Sequence, residues 1–312
     1  MPNFRDWFSS KTVSTVIPAA ALSLALGACS TSSGQSGQEG ERPLVLTTFT
    51  VIADMAGNVA ADRVDVTSLT RPGAEIHGYE PTPDDLVRGQ GADLILENGL
   101  GLEAWFQQFT ERVDAPTAVL SRGIDTIPVT SGGYEGEPNP HAWMSPDNAL
   151  VYVDNIRDAL IELDPQGETE FTEAAEDYKE EITEVGTYLE DELAEVPEPA
   201  RALVTCEGAF SYLARDAGLT EQYLWPVNAE REGTPQKIAA VAEFVRDNDV
   251  PAVFCESTVN DSAQQSVIRE TDAVMGQTLY VDSLSEPGGP VPTYLDLLRH
   301  DAQAIVAGLT GV

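Results

Sequence analysis

The sequence predicts an α/β fold with two similar lobes joined by one long rigid helix, and three patterns indicate this class. Short apolar runs typical of buried strands alternate with runs of helical spacing. The same order recurs after residue 200, where Thr234-Pro235 begins a predicted helix as Thr82-Pro83 does in the first half. A long segment of helical periodicity lies between the halves. We therefore expect a parallel-type sheet flanked by helices in each lobe.

The predicted elements follow one another in the same order in both lobes. In the first lobe, strand-like runs cover 44–49, 64–70 and 93–97, with a helix at 51–61. In the second lobe, they cover 202–206, 222–227, 252–255 and 278–281, with a helix at 209–217. A further helix is predicted at 147–163 and another at the end of the chain.

The middle segment predicts a single helix that joins the lobes. Apolar residues recur every three or four positions from Phe171 to Val196, and glutamates fill the opposite face. A helix from Gln166 to Val196 would be roughly 46 Å long. We assign the linking helix to 166–197 and the lobes to 43–165 and 198–312. Because such a connector is stiff, we expect less lobe closure than across a flexible hinge.

The start of the chain predicts export and lipid attachment. Residues 1–28 have the basic start and short apolar run of a signal peptide, too short to cross a bilayer. The run ends in Leu26-Gly27-Ala28-Cys29, which resembles a bacterial lipobox. Acyl chains on Cys29 would anchor the protein to the membrane, and the polar segment 29–42 would be a flexible tether. We expect an extracytoplasmic protein, lipid-anchored to the bacterial cell membrane.

The charge balance excludes one class of partner. With 52 Asp and Glu against 17 Lys and Arg, the chain carries a formal net charge of −35. Nucleic-acid binding begins with neutralisation of phosphates by basic side chains, so this class is not expected. The same charge would gather cations around the molecule, although a solvated, salt-tolerant surface explains it as well.

Four side chains point to a metal site. His77 lies in a loop between a predicted strand and a helix, and His141 lies in a Pro-flanked loop ahead of the 147–163 helix. In the second lobe, Glu207 and Asp282 directly follow predicted strands. Ligands of open parallel sheets collect at the carboxyl ends of the strands, so facing lobes would bring the four together. His300, within the predicted terminal helix, is expected to be exposed.

These residues stand in motifs that resemble a known family, the metal-binding solute-binding lipoproteins of bacterial ABC importers called cluster 9 or cluster A-I. The resemblance covers the chain after Pro43. Its most specific motifs are His77-Gly-Tyr-Glu-Pro-Thr-Pro, Asn-Pro-His141-Ala-Trp, Cys-Glu207-Gly-Ala-Phe-Ser-Tyr, Glu230-Arg-Glu-Gly-Thr-Pro235 and Phe254-Cys-Glu-Ser257.

The resemblance implies a receptor that holds a metal between its lobes and delivers it to an ABC permease, and we expect the protein to be a monomer. Its ligands map onto His77, His141, Glu207 and Asp282. Family members commonly have Asp-Pro-His where this chain has Asn139-Pro-His141, so we expect another acceptor to orient the His141 ring.

The donor set favours manganese. Zinc-preferring members use a His at the third ligand position and a His-rich loop before the second His, whereas this chain has Glu207 and no His in 128–138. Two imidazoles and two carboxylates offer up to six donor atoms, which suits Mn²⁺ better than a closed tetrahedral zinc site. Zn²⁺ and Fe²⁺ stay open as alternatives. Because neutral imidazoles are needed, affinity is expected to fall as the pH drops through ~6.5.

Two cysteines remain after Cys29. Cys206 and Cys255 each end a predicted strand of the second lobe. A disulfide is plausible in an oxidising exterior, and two small buried apolar residues are an equal alternative. Trp143, Trp225, Asn98 and Glu256 are candidates to line or brace the pocket, although packing explains each equally well.

Two other functions are compatible with parts of the sequence. A metallohydrolase would need an open coordination position and a general base, but the chain has no His-Glu-x-x-His or similar motif. An adhesin is compatible with the lipid tether, but no particular residue points to it. We therefore expect no enzymatic activity.

Overall fold

The computed structural model describes residues 42–110, 112–227 and 233–311. The signal peptide, Cys29 and nearly all of the tether lie outside these residues. The described strands are β1 Leu44–Thr47, β2 Asp65–Ser68, β3 Leu94–Glu97, β4 Thr117–Val119, β5 Ala202–Glu207, β6 Thr220–Trp225, β7 Ala252–Val253 and β8 Val274–Met275. The described helices are α1 Thr50–Val59, α2 Pro83–Gln90, α3 Phe106–Thr110, α4 Pro146–Leu163, α5 Glu168–Ala194, α6 Ser211–Asp216, α7 Pro235–Asp247, α8 Ser262–Arg269 and α9 Tyr294–Thr310.

The first lobe contains one parallel sheet in the order β2-β1-β3-β4. Val45 of β1 lies between Val66 of β2 and Leu94 of β3. β1 and β3 are largely buried, because helices cover a parallel sheet on both faces. The carboxyl ends of all four strands therefore meet at one edge, and the loops that leave this edge form one side of the site.

The second lobe repeats this arrangement. β5 pairs with β6 and β7 with β8, in both cases parallel. The Phe254 backbone amide donates to the Val204 carbonyl at 2.8 Å, so β7 lies beside β5. The Gln264 amide donates to the carbonyls of both Val204 and Phe254. The spatial order β6-β5-β7-β8 therefore matches that of the first lobe.

The segment predicted as a strand over 278–281 has an extended backbone with one isolated parallel bridge, between Leu279 and Glu256. The prediction of a full strand is wrong here. The Tyr280 backbone amide donates to the Asp301 carboxylate at 3.0 Å instead of to a neighbouring strand. The segment still leads Asp282 to the same edge as the true strands.

Helix α5 connects the lobes. Its 27 residues give a length of about 40 Å. This is slightly less than predicted, because the helix begins after a 3₁₀ turn at Pro165–Gly167 and ends at Ala194. The buried stripe consists of Phe171, Ala175, Tyr178, Ile182, Val185, Leu189 and Leu193. This stripe packs against α1 and α4 of the first lobe and against α9 at the end of the chain. One hydrophobic core therefore extends through both lobes along this helix.

The residues that the structure describes form one compact unit. In the part of the chain that the structure describes, every helix is too short or too polar to cross a bilayer.

Candidate metal centre

His77 lies in the loop between β2 and α2, which several contacts hold in place. The Glu75 carboxylate accepts hydrogen bonds from the backbone amides of His77 at 2.6 Å and Gly78 at 2.9 Å. The Trp105 indole donates to the Ile76 carbonyl at 2.9 Å. Helix α2 then begins in a capping box, which stops the loop from fraying at its far end. The His77 ring is thereby directed into the molecule.

His141 follows the loop formed by residues 127–139, and backbone hydrogen bonds join the two ends of this loop. The Asn139 backbone amide donates to the Ile127 carbonyl at 2.8 Å. The Asn98 side chain at the end of β3 donates to the Pro140 carbonyl at 3.0 Å. The Asn139 side-chain oxygen accepts from the His141 backbone amide and from its ring Nδ1, both at 3.0 Å. An acceptor other than a carboxylate, the Asn139 amide oxygen, therefore orients the ring.

The two carboxylates come from the second lobe. Glu207 is the last residue of β5, and its backbone amide donates to the buried Glu256 carboxylate at 3.2 Å. Asp282 follows Val281, whose carbonyl accepts from the Trp143 indole at 3.3 Å. Asp282 is buried, and its Oδ1 has no hydrogen-bond partner among the described residues. An unpartnered buried carboxylate oxygen is costly, so this atom is well placed to accept a ligand.

All four residues converge. The Nε2 atoms of His77 and His141 are 3.1 Å apart. Glu207 Oε1 lies 3.5 Å from His77 Nε2 and 3.7 Å from His141 Nε2, and Asp282 Oδ1 lies 3.8 Å from His141 Nε2. The side chains of His77, His141, Glu207 and Asp282 are 5%, 0%, 3% and 2% exposed. Two imidazoles and two carboxylates therefore face one small, nearly dry space.

The two imidazoles differ in protonation in the absence of a metal. Burial alone would lower the pKa of His77, but its hydrogen bond to Glu207 and the nearby charge of Asp282 raise it to about 9. Burial lowers the pKa of His141 to about 3. Burial likewise raises the pKa of Asp282, to about 7. Near neutral pH and without a metal, His77 is therefore protonated and His141 is neutral.

Cys206 and Cys255 form a disulfide between the carboxyl ends of β5 and β7, with their Cα atoms 4.9 Å apart. Glu207 and Glu256 directly follow the two cysteines. Burial raises the pKa of Glu256 well above its usual value. The crosslink therefore holds the backbone at the position from which Glu207 enters the site.

Other candidates from the sequence lie behind or beside this centre. Asn98 braces the His141 loop through the Pro140 carbonyl, and the Trp143 indole donates to the Val281 carbonyl beside Asp282. The Glu256 carboxylate accepts from the Glu207 backbone amide. Trp225 packs in the core of the second lobe. His300 lies outside the site and is partly buried, not exposed: its Nε2 donates to the Thr278 carbonyl at 2.9 Å.

The sequence reasoning missed Glu75. Its carboxylate lies close enough to His77 and Asp282 for the three to form a possible cation cluster. Its place two residues before His77 was the available signal, but an exposed glutamate in a loop has no distinctive pattern. Asn139 was noticed only as a departure from the family, because its contacts with the second lobe cannot be read from local sequence.

The two α/β lobes, the long helix between them and a buried His₂-carboxylate₂ cluster define a class: metal-binding substrate-binding proteins of ABC transporters, which are not enzymes. Comparison with known proteins agrees. A family model described as zinc-uptake complex component A, periplasmic (ZnuA), matches residues 45–308. The chain belongs to this family.

Relatives in this family differ in the metal that their names state. The chain is 50% identical over 265 residues to the iron-binding protein YfeA of Yersinia pestis, covering 85% of each chain. It is 33% identical over 291 residues to the manganese-binding lipoprotein MntA of Halalkalibacterium halodurans, covering 93% of this chain and 96% of that protein. The Mn-bound periplasmic metal-binding protein of Candidatus Liberibacter asiaticus has a similar structure, with a TM-score of 0.81 at 39% identity, covering 86% and 100%.

Proposed function

We propose that this protein captures Mn²⁺ between its lobes, with His77, His141, Glu207 and Asp282 as ligands, and delivers the ion to an ABC permease. The observation that carries the proposal is the convergence of two imidazole nitrogens and two carboxylates in one nearly dry space. A bound dication would balance the two carboxylates, so the loaded cluster would be formally neutral and would avoid much of the cost of burying charge.

The spacing of the donor atoms supports a single ion. Donors bound ~2.1 Å from one cation at mutual angles near 90–110° lie roughly 3.0–3.5 Å apart. The measured separations run from 3.1 Å to 3.8 Å. A small inward movement of the carboxylates would therefore complete the coordination.

The donor chemistry supports manganese over zinc. If both carboxylates bind through two oxygens, the site supplies six donors, and Mn²⁺ accepts six more readily than Zn²⁺, which prefers four. Zn²⁺ still binds any such site tightly, since the Irving–Williams order ranks it above Mn²⁺. Preference for Mn²⁺ then depends on supply and release as well as on affinity. The relative named for iron makes Fe²⁺ the principal competitor.

The delivery step follows from the attachment that the sequence predicts. Acyl chains on Cys29 would keep the receptor, as a monomer, on the outer side of the cytoplasmic membrane, and the tether over 29–42 would let it reach a permease. The relatives named as lipoproteins support this arrangement.

The test is elemental analysis of protein purified without chelator, followed by competitive titration with Mn²⁺, Fe²⁺ and Zn²⁺. We expect one metal per chain and retention of Mn²⁺ through gel filtration. The variants His77→Ala and Glu207→Ala should lose this retention, because each removes a ligand from a site with four.

The matched control is His300→Ala, which removes a histidine of the same chain outside the site and should bind as the wild type does. Equal loss in all three variants would contradict the ligand assignment. Retention of Fe²⁺ in preference to Mn²⁺ under anaerobic competition would overturn the choice of metal and leave the site intact.

A further inference from the structure

We infer that Asn139 is a positioning residue between the lobes. Its side-chain oxygen orients the His141 ring, and its side-chain nitrogen donates to the carbonyl of Gly208, the residue after Glu207. The inference rests on the proposed function and concerns how the same site is assembled and opened. Asn139 is 3% exposed, and every polar atom of its side chain is used.

The oxygen side of the amide determines which ring nitrogen of His141 is free. Oδ1 accepts from the His141 backbone amide, which can only donate, so the orientation of the Asn139 amide is unambiguous. The same oxygen lies 3.0 Å from Nδ1, which must therefore carry the proton of the neutral ring. Nε2 is left with its lone pair directed at the centre of the cluster.

The nitrogen side of the amide crosses to the second lobe. Nδ2 donates to the Gly208 carbonyl at 2.6 Å and to Ser211 Oγ at 3.1 Å. The hydroxyl proton of Ser211 goes to Glu221 Oε2 at 2.6 Å, so Ser211 can accept from Asn139. Gly208 directly follows Glu207. The hydrogen bond from Asn139 Nδ2 therefore reaches the residue next to a proposed ligand.

A main-chain contact strengthens the same junction. The Tyr212 hydroxyl donates to the Asn139 carbonyl at 2.7 Å and accepts from the Ile127 amide at 3.3 Å. By comparison, the Asp282 side of the cluster is tied to the first lobe through its next residues, where Gly73 donates to Ser283 Oγ at 2.7 Å and Leu284 to Thr50 Oγ1 at 3.0 Å. The two carboxylates are thus joined to the first lobe by separate contacts.

The consequence is a coupling between lobe separation and metal release. Moving the β5–α6 loop away from the first lobe would break both Nδ2 bonds and free the Asn139 side chain to turn. The His141 ring would then lose the acceptor that keeps its Nε2 aimed at the ion. Opening at this junction would therefore loosen the proposed His141 ligand at the same time.

The test compares Mn²⁺ dissociation by stopped-flow with excess chelator in three variants. Asn139→Ala removes both the acceptor for His141 Nδ1 and the donor to the Gly208 carbonyl. We expect a 10- to 100-fold loss of Mn²⁺ affinity, mainly through faster dissociation. Asn139→Asp keeps an acceptor for Nδ1 and lacks the donor to Gly208, so dissociation should be faster than in the wild type and slower than in Asn139→Ala. It also tests the inference if Asn139→Ala fails to fold.

The matched control is Asn155→Ala. The Asn155 amide also donates to two carbonyls, those of Leu120 and Arg122, but both lie within the first lobe. This variant should release Mn²⁺ at the wild-type rate. If Asn155→Ala and Asn139→Ala release Mn²⁺ faster to a similar extent, the cause would be general destabilisation of the fold. That result would overturn the inference.

A spectroscopic measurement separates orientation from stability. Ring ¹⁵N chemical shifts of the Zn²⁺-loaded protein should show His141 protonated at Nδ1 in the wild type and in Asn139→Asp. Asn139→Ala should show a changed Nδ1 shift. An unchanged shift together with a wild-type release rate would overturn the role of Asn139, even with one Mn²⁺ bound per chain. Failure of the wild type to bind Mn²⁺ would instead contradict the proposed function.

Discussion

At the scale of single residues, His77 and His141 show how position changes the chemistry of one side chain. Both rings are buried, and burial disfavours a charged imidazole. His77 has Glu207, Asp282 and Glu75 around it, and these acids raise its pKa to about 9 despite burial. His141 is more deeply enclosed, and its pKa falls to about 3. Without a metal, one of the two proposed imidazole ligands is therefore already neutral and the other is still protonated.

This protonation predicts the pH dependence of binding. Below pH 9, His77 must release a proton when Mn²⁺ binds, so affinity should rise about tenfold for each pH unit up to about 9. Below pH 7 the dependence should steepen, because Asp282 also binds a proton there. Anaerobic calorimetry in two buffers of different ionisation enthalpy measures the protons released.

We expect about one proton per Mn²⁺ at pH 8, in the wild type and in His300→Ala alike. No proton release at pH 8 would contradict the raised pKa of His77. From sequence alone the expected range lay near 6.5, since the carboxylates that raise the pKa come from the other lobe.

At the scale of elements, the second lobe depends on the junction of β5 and β7. The disulfide closes a loop with a sequence separation of 49 residues at the strand ends that carry Glu207 and Glu256. A backbone hydrogen bond connects this junction to the segment before Asp282, because the Leu279 amide donates to the Cys255 carbonyl at 3.1 Å. Asp282 lies three residues beyond this bond. One crosslink therefore supports the backbone of both proposed carboxylate ligands.

The double variant Cys206→Ala/Cys255→Ala tests this support. By the chain-entropy argument, opening a loop of this length lowers the free energy of unfolding by about 4 kcal/mol. We also expect weaker Mn²⁺ binding, because Glu207 is adjacent to Cys206. Denaturant unfolding and metal titration measure the two effects.

Reductant provides the control for this variant. Reductant should lower the free energy of unfolding and the Mn²⁺ affinity of the wild type towards the values of the double variant. It should leave both quantities unchanged in the double variant. Equal sensitivity of both proteins to reductant, or two free thiols in the native wild type, would contradict a structural role for the bond.

At the scale of the whole molecule, α5 limits how far the lobes can move. Its buried stripe contacts α1, α4 and α9, so large hinge motion would expose apolar surface along the helix. Lobe closure must then come from small rotations and loop movements near the site. The limited lobe closure that the long periodic segment predicts stays a prediction.

Small-angle X-ray scattering tests the limited closure. We expect the radius of gyration of the metal-free and Mn²⁺-loaded protein to differ by less than ~0.5 Å, since packed helices allow only small shear movements. His77→Ala, measured with and without Mn²⁺, controls for effects of the salt. A decrease of several ångströms on loading would contradict a rigid connector.

Metal binding should also stabilise the whole unit, because the proposed ligands come from both lobes. At a free Mn²⁺ concentration 100 times the dissociation constant, the free energy of unfolding should increase by about 2.7 kcal/mol. Differential scanning calorimetry should show a higher melting temperature for the wild type and no shift for His77→Ala. A shift of equal size in both proteins would indicate non-specific binding to the acidic surface.

By itself the sequence determined the α/β class, the repeated order of elements, the long helix and which four side chains meet, because periodicity and strand-end position are local properties. It also showed the family, through motifs confined to a few residues each. Only the tertiary structure decided that 278–281 has a single bridge instead of a strand, that His77 and His141 differ in pKa, and that Asn139 joins the lobes. These features depend on groups far apart in the chain, such as Tyr280 and Asp301 or Asn139 and Gly208, whose distances local sequence does not encode.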